Sequence, residues 1–419
     1  MPGCRGVDWG DYPFGVLATG HAFIRHAPCH FLGRPVSPLY ILVMSIGYYI
    51  TAHGYGHAVR SLAVINAIPA DVPVTIVTRV PASFLKEELK RPATIRAESF
   101  DCGAVQHDAL RVDPRRTLES YAAIHERNQA RIDDEVAFVQ SQGIQVLAFD
   151  APSFAARVAE KAGIPSVLVS NFSWSDIYAD YVQEHPPFRP LLDAMKEEYA
   201  AATGALRLPF ALPMPDIRQQ REGELVCRPC RDLREEIAAH HQVDIEARWV
   251  LLYVGQGESG FDWRRLERSD TVFFLLGQDP PMGSRVVSAD AARFGGQNLI
   301  ASCDMVMAKP GYGIVADCVA SGTPLVYTPR HDFAEFLPLH EGLSEWGLGL
   351  CVAADSFFRG PLDPIFDQVN GLELRRSWGT CGAIRWRICF FHSRKIDSCF
   401  LLPSRGSRSA IQHYCRSKK

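Results

Sequence analysis

The 419-residue chain has no run of eighteen apolar residues, so it offers no segment able to cross a bilayer as a helix. Its first 43 residues have neither a basic start followed by an apolar core nor a small-residue cleavage site. They do not read as a secretory signal, and the early Asp8 and Asp11 argue against an organelle transit peptide. Charge is nearly balanced, at −3 overall, which removes the usual footprint of a nucleic-acid or membrane-surface binder. A disulfide framework is missing too. Of twelve cysteines, six fall in the two ends and six are scattered between 44 and 370. Cys227-Arg-Pro-Cys230 is the one close pair, with no second pair or histidine partner to complete a zinc site. These absences predict a reduced, cytoplasmic chain that uses no metal.

What is present is uneven. Residues 371–419 hold 11 basic and 2 acidic side chains, whereas 44–370 hold 30 and 43. The last stretch loses all regular period and carries Cys381, Cys389, Cys399 and Cys415. It reads either as a basic interaction tail or as the product of an altered reading frame. The folded unit is therefore expected to begin near Met44. It is bounded by a leader of uncertain status at 1–43 and a basic, Cys-rich tail at 369–419 that lies outside the fold.

Between those ends, short apolar runs alternate with amphipathic stretches. Ser45–Thr51, Val74–Thr78, Thr94–Ser99, Val146–Phe149 and Ser166–Ser170 read as strands. Ala58–Ile68, Leu118–Gln142 and Ser153–Ala162 read as helices. A proline-broken segment over 206–222 suits a linker. The rhythm then restarts with strands at Trp249–Val254, Thr271–Leu276, Ser284–Val287, Met305–Ala308 and Pro324–Thr328 and a helix at Gly313–Ser321. Such alternation means parallel sheets with crossover helices. The predicted fold class is α/β, two Rossmann-like parallel-sheet domains at 44–205 and 223–368 with an interdomain cleft at the strand ends.

Three glycine turns follow strands. In Thr51-Ala52-His53-Gly54-Tyr55-Gly56-His57, with Arg60 a turn later, the glycines let the chain turn tightly into a helix. His57, or failing that His53, then stands at the cleft mouth, where an imidazole can take a proton from a hydroxyl. The spacing is not the dinucleotide fingerprint, and there is no phosphate-loop lysine. Lys309-Pro310-Gly311-Tyr312-Gly313 opens a second helix whose free N–H groups favour a diphosphate, with Asp317 a turn on for ribose hydroxyls. Gly255-Gln256-Gly257 offers a further backbone approach. His240-His241 reads as surface.

These motifs resemble the two-domain glycosyltransferases of GT-B architecture, which carry a His-bearing first glycine loop and a donor motif of glycines, an acidic residue and Gly-x-Pro. Tyr48–Arg60, the loop from Asp101 through Gln106 to Asp108, Asn171-Phe172-Ser173-Trp174 and Lys309–Gly313 are similar to the glycosyltransferase-like region of plant L-arabinokinases. No sugar-kinase segment is found beside it. The resemblance implies an inverting, metal-independent glycosyltransferase that needs no cofactor beyond a nucleotide-sugar donor, expected to be a UDP-sugar, and an unknown hydroxyl acceptor. Donor-side residues would be Gly255, Gln256, Gly257, Lys309, Gly311, Tyr312, Gly313 and Asp317. Asp332 or Glu335 would stand in for the acidic half of an Asp/Glu-Gln sugar-binding pair, the other half being absent. On the acceptor side would lie Gly54, Gly56, Arg60, Asp101, Gln106, Asp108, Asn171 and Trp174, the last as a sugar-stacking platform. A non-catalytic module that binds a nucleotide-sugar or sugar is the alternative.

Overall fold

The computed structural model describes residues 44–107, 111–254, 260–330 and 332–378, together with the backbone of short strand pairs on either side. The chain divides into two units between Val43 and Met44, and the second of them holds two lobes.

The first lobe is built on seven parallel strands: β1 (Ile46–Ile50), β2 (Val74–Val77), β3 (Thr94–Arg96), β4 (Val146–Asp150), β5 (Ser166–Ser170), β6 (Gly204–Arg207) and β7 (Gln220–Glu222), ordered 7-6-5-4-1-2-3. The second lobe has six: β8 (Arg248–Tyr253), β9 (Thr271–Leu275), β10 (Val287–Ser288), β11 (Met305–Ala308), β12 (Leu325–Tyr327) and β13 (Gly349–Cys351), ordered 10-9-8-11-12-13. Every pairing within both sheets is parallel. Strands β1, β4 and β5 are buried at every residue, which is why they read as unbroken apolar runs rather than as alternation. In each sheet the order reverses beside the first strand, between β1 and β4 and between β8 and β11. Chains leaving adjacent strands there diverge and open a crevice.

The helices that frame the site are α1 (Gly54–Ala67), α2 (Pro114–Ala130), α3 (Ile132–Ser141), α4 (Trp174–Glu184) and α5 (Tyr312–Ser321). Helix α4 starts with a capping box, Ser173 accepting from the Asp176 N–H while Asp176 accepts from the Ser173 N–H at 3.1 Å. Helix α5 stops at Gly322, whose φ of +73° is left-handed. One apolar cluster joins α1 and one face of the first sheet through Phe210, Leu225 and Val226 to α5, β11 and β12, so the lobes share a core. The opposite sheet faces have their own clusters.

Two boundaries depart from the sequence reading. The expected single helix at 118–142 is two, α2 and α3, broken at Arg131 with φ −117° and ψ 14°. The stretch 206–222 is not a free connector. Its ends belong to β6 and β7, and Pro209, Pro213 and Pro215 fall in the loop between them, where no ladder donor is needed. Among the described residues no helix is long and apolar enough to cross a membrane.

Candidate active site

The first strand delivers its histidines to the reversal point. Thr51 leaves β1 with its N–H on the Asp150 carbonyl at 2.8 Å, tying the ends of β1 and β4 together. The chain then turns through His53 and Gly54, φ +69°, into α1. One turn into the helix, His57 Nδ1 lies 2.8 Å from Asp150 Oδ1. Asp150, the last residue of β4, is fully buried. It also accepts from Arg60 Nε at 2.8 Å and Nη2 at 2.6 Å, and from Ser61 Oγ at 3.0 Å. Burial alone would raise its pKa, but the Arg60 guanidinium and His57 reverse this and hold the carboxyl well below the usual carboxylate range. An ionised Asp150 is the stronger partner for a His57 Nδ1–H, a tautomer that leaves Nε2 with the free lone pair, and Arg60 Nη2 stands 3.0 Å from the same Nδ1. Asp150 was missed in the sequence. The available signal was an acidic residue closing an otherwise apolar strand.

Arg60 is a structural cation rather than an acceptor-side contact. It is buried, donates to Asp150, to Ser170 Oγ at 3.0 Å and to Asn171 Oδ1, and lies over the Tyr312 ring with Cζ 4.7 Å from the centroid. Tyr312 comes from the other lobe and is itself enclosed, its OH accepting the Val226 N–H at 3.1 Å. It braces the lobes instead of meeting a ligand.

His53 is half-buried. Burial, with positive charge from His57, Lys309 and Arg330, pushes its imidazole down to about 3, so it is neutral at pH 7. Gly103, at φ +62°, lies against it, and a Cβ there would collide with the His53 ring. Trp174 departs from the expected platform. It is fully buried, its ring 5.5 Å from that of His53 and 6.0 Å from that of His57, and its Nε1 donates to Asp101 Oδ2 at 2.8 Å. Asp101 also accepts from Thr51 Oγ1 at 2.8 Å. Its burial outweighs both bonds and raises its pKa to about 6. Trp174 and Asp101 thus back the histidines from within. Gln106 is exposed at an isolated bridge to Val112, and Asp108 lies outside the described residues.

In the second lobe β11 runs into half-buried Lys309, then Gly311, where an added Cβ would meet nothing within 4 Å, and then α5. The Gly311 turn is open, as an anion site at a helix start requires. A Cβ on Gly313 would lie 3.5 Å from Gly56 Cα, so the two glycine turns meet across the lobes. Gly255, Gln256 and Gly257 lie outside the described residues. Asp317 departs from the ribose role expected of it. It is buried, with Oδ2 on Arg228 Nη2 at 2.7 Å and Oδ1 on the Arg228 N–H at 3.3 Å, and Arg228 reaches on to Glu88 of the first lobe at 2.8 Å. Glu335 is likewise spent, accepting from Asn171 Nδ2 at 2.9 Å. Asp332 is exposed, and its carbonyl accepts from Tyr181 OH at 3.2 Å. Phe333, between them, meets Phe172 edge to face at 6.0 Å. The loop after β12 is therefore docked on the first lobe. Among the described residues no group of three His, Cys, Asp or Glu side chains is arranged to hold a metal. Cys227 and Cys230 are free thiols.

Two facing parallel-sheet lobes, each with its reversal point turned to a shared seam, make this a GT-B glycosyltransferase fold. Solved structures of that fold superpose on it. They include UGT2 of Phytolacca americana in complex with UDP-2-fluoro-glucose and pterostilbene (TM-score 0.53, 11% identity, 77% of this chain and 88% of that one). SnogD of Streptomyces nogalater (0.50, 15%, 78% and 90%) and the calicheamicin glycosyltransferase CalG4 (0.50, 15%, 78% and 90%) match as well. In sequence the chain is similar to the L-arabinokinase of Arabidopsis thaliana, 31% identical over an alignment of 337 positions that covers 78% of this chain and 32% of the plant protein. The chain thus spans about a third of the length of that relative. No protein-family model matches it.

Proposed function

We propose that the protein is an inverting glycosyltransferase that moves a sugar from a nucleotide-sugar, a UDP-sugar by preference, to a hydroxyl acceptor without a metal ion. The observation that carries this reading is the His57–Asp150 contact of 2.8 Å at the reversal point of one sheet, next to Gly56, which meets Gly313 of the other lobe. Asp150 holds Nδ1–H, and Nε2 takes the acceptor proton as the acceptor oxygen attacks the anomeric carbon. The bond from that carbon to the diphosphate oxygen breaks in the same step, which inverts the centre. The departing charge is met by the free N–H groups at the start of α5 and by Lys309. The nucleotide bound by Phytolacca UGT2 supports a UDP-sugar as donor.

The test is to incubate the purified chain with radiolabelled UDP-sugars and an acceptor panel, with EDTA present. Transfer or slow hydrolysis is expected, His57→Ala is expected to abolish it, and UDP affinity is expected to survive the substitution. Undiminished turnover in His57→Ala overturns the assignment. A second reading, a sugar-nucleotide binding module without turnover, is favoured by one observation. Asp317 and Glu335, the two carboxylates best placed to greet ribose and sugar hydroxyls, are both engaged by protein. Binding without any turnover of a broad donor panel selects that reading.

A further inference from the structure

One contact between the lobes is tied to His57. Asn171, the residue after β5, is fully buried, and its side-chain amide has a charged group on either side. Arg60 Nη1 donates to Asn171 Oδ1, and Asn171 Nδ2 donates to Glu335 Oε1 of the second lobe at 2.9 Å. The amide can stand only this way round, since a guanidinium offers no acceptor and a carboxylate no donor. The same guanidinium grips Asp150 through Nε at 2.8 Å and Nη2 at 2.6 Å, and Asp150 Oδ1 lies 2.8 Å from His57 Nδ1. A continuous file of buried polar groups therefore runs from His57 through Asp150, Arg60 and Asn171 to Glu335.

Glu335 forgoes nearer partners to make this bond. It stands at the N-cap position of the helix Phe336–Trp346, where the free N–H groups of a first turn favour an acidic side chain, yet it caps none of them. The carboxylate is instead buried, at 6% exposure, against the other lobe. Burying it on one neutral donor is costly unless cations stand near, and both Arg60 and Arg330 feel its charge. Arg60 meets the second lobe a second time, under the Tyr312 ring. A guanidinium is a rigid plane, so a turn of the edge that meets Asn171 also turns the edge that meets Asp150. We propose that Glu335 is a positioning residue for His57: relayed by Asn171, it sets the Arg60 plane and with it the Asp150 carboxylate that orients the imidazole. The base is thereby complete only while the lobes are shut, and is out of true when the cleft stands open. This rests on the proton-transfer role given to His57 above and adds its regulation.

Two measurements on the full chain test it. In NMR spectra with labelled histidine, the His57 signal is identified by its loss in His57→Ala. Glu335→Ala and Asn171→Ala should both move that signal, whereas Glu335→Gln, which still accepts from Asn171, should leave it near its wild-type position. Glu335→Ala takes nothing from the first lobe, so it decides the matter if Asn171→Ala fails to fold. An unmoved His57 signal in Glu335→Ala overturns the proposal. In the transfer assay each alanine variant should lose about tenfold or more in kcat, the scale of one hydrogen bond to a charged group, with donor KM nearly unchanged. The double variant should lose no more than either single one, because both break the same file. Losses that multiply in the double variant overturn the proposal. So does a Glu335→Ala variant that raises donor KM and keeps kcat, since the carboxylate then serves the donor sugar. If wild type shows no transfer while the His57 signal still answers Glu335→Ala, the link between the lobes stands and the glycosyltransferase reading alone falls.

Discussion

The buried carboxylate of Asp150 is the best place to test the site by stability alone. It is wholly buried, Arg60 is 2% exposed, and two guanidinium N–H groups, two serine hydroxyls and an imidazole all converge on it. Asp150→Asn keeps the shape and removes the charge. The new amide must turn an N–H toward Arg60 or toward His57, placing donor against donor, and Arg60 is left as an uncompensated buried cation. Removing one partner of a buried ion pair costs about 3–5 kcal/mol. For a body of this size that is a fall in Tm of roughly 4–7 °C. Differential scanning calorimetry at pH 7.5 reads it directly. The double variant Arg60→Met/Asp150→Leu, which deletes both charges, should melt well above Asp150→Asn, because the penalty belongs to the orphaned cation. An Asp150→Asn melting point within about 2 °C of wild type, or a double variant less stable than the single one, refutes the reasoning.

Two further perturbations act on buried groups. Burial raises Glu198 from 4.5 to about 7, and Ser153 Oγ donates to it at 2.5 Å. Its folded pKa lies above its unfolded one, so it costs nothing below pH 4.5, and stability falls as pH rises from there to about 7. Glu198→Gln, neutral throughout, should match wild type at pH 4 and exceed it by up to about 3 kcal/mol at pH 8 in urea titrations. A gain that is the same at both pH values contradicts this. Gly103→Ala drives a Cβ into the His53 ring at φ +62°, and should cost about 1–3 kcal/mol and displace the imidazole. A thermal melt and the transfer assay should both register it, and an unaltered melt rejects the contact.

The strands were legible because a strand buried on both faces must be apolar throughout, and Ser45–Thr51 and Trp249–Val254 carry no competing period. The paired lobes and the glycine turns at the strand ends followed from that alternation. What stayed hidden depends on partners distant in sequence. Asp150 matters because β4 lies beside β1, an order set by crossovers and not by local pattern. Asp317 looked free for a ribose until Arg228, 89 residues earlier, claimed it. Trp174 after a strand suits a platform and a buried brace equally well by composition, and only its enclosure decides. Arg131 breaks the 118–142 helix without a glycine or proline to announce it.

The meeting of Gly56 and Gly313 has a consequence for where any cargo can rest. With an added Cβ only 3.5 Å from the opposing Cα, no atom fits between the two main chains at that point. The seam there is shut, and the working volume must open to one flank of it, as the hollow of a hinge opens beside its pin. No side chain enters that contact, but the Arg60–Tyr312 stack, the Arg228–Glu88 bridge and the Asn171–Glu335 bond flank it, so widening the hollow to admit a bulky guest must stretch or break them.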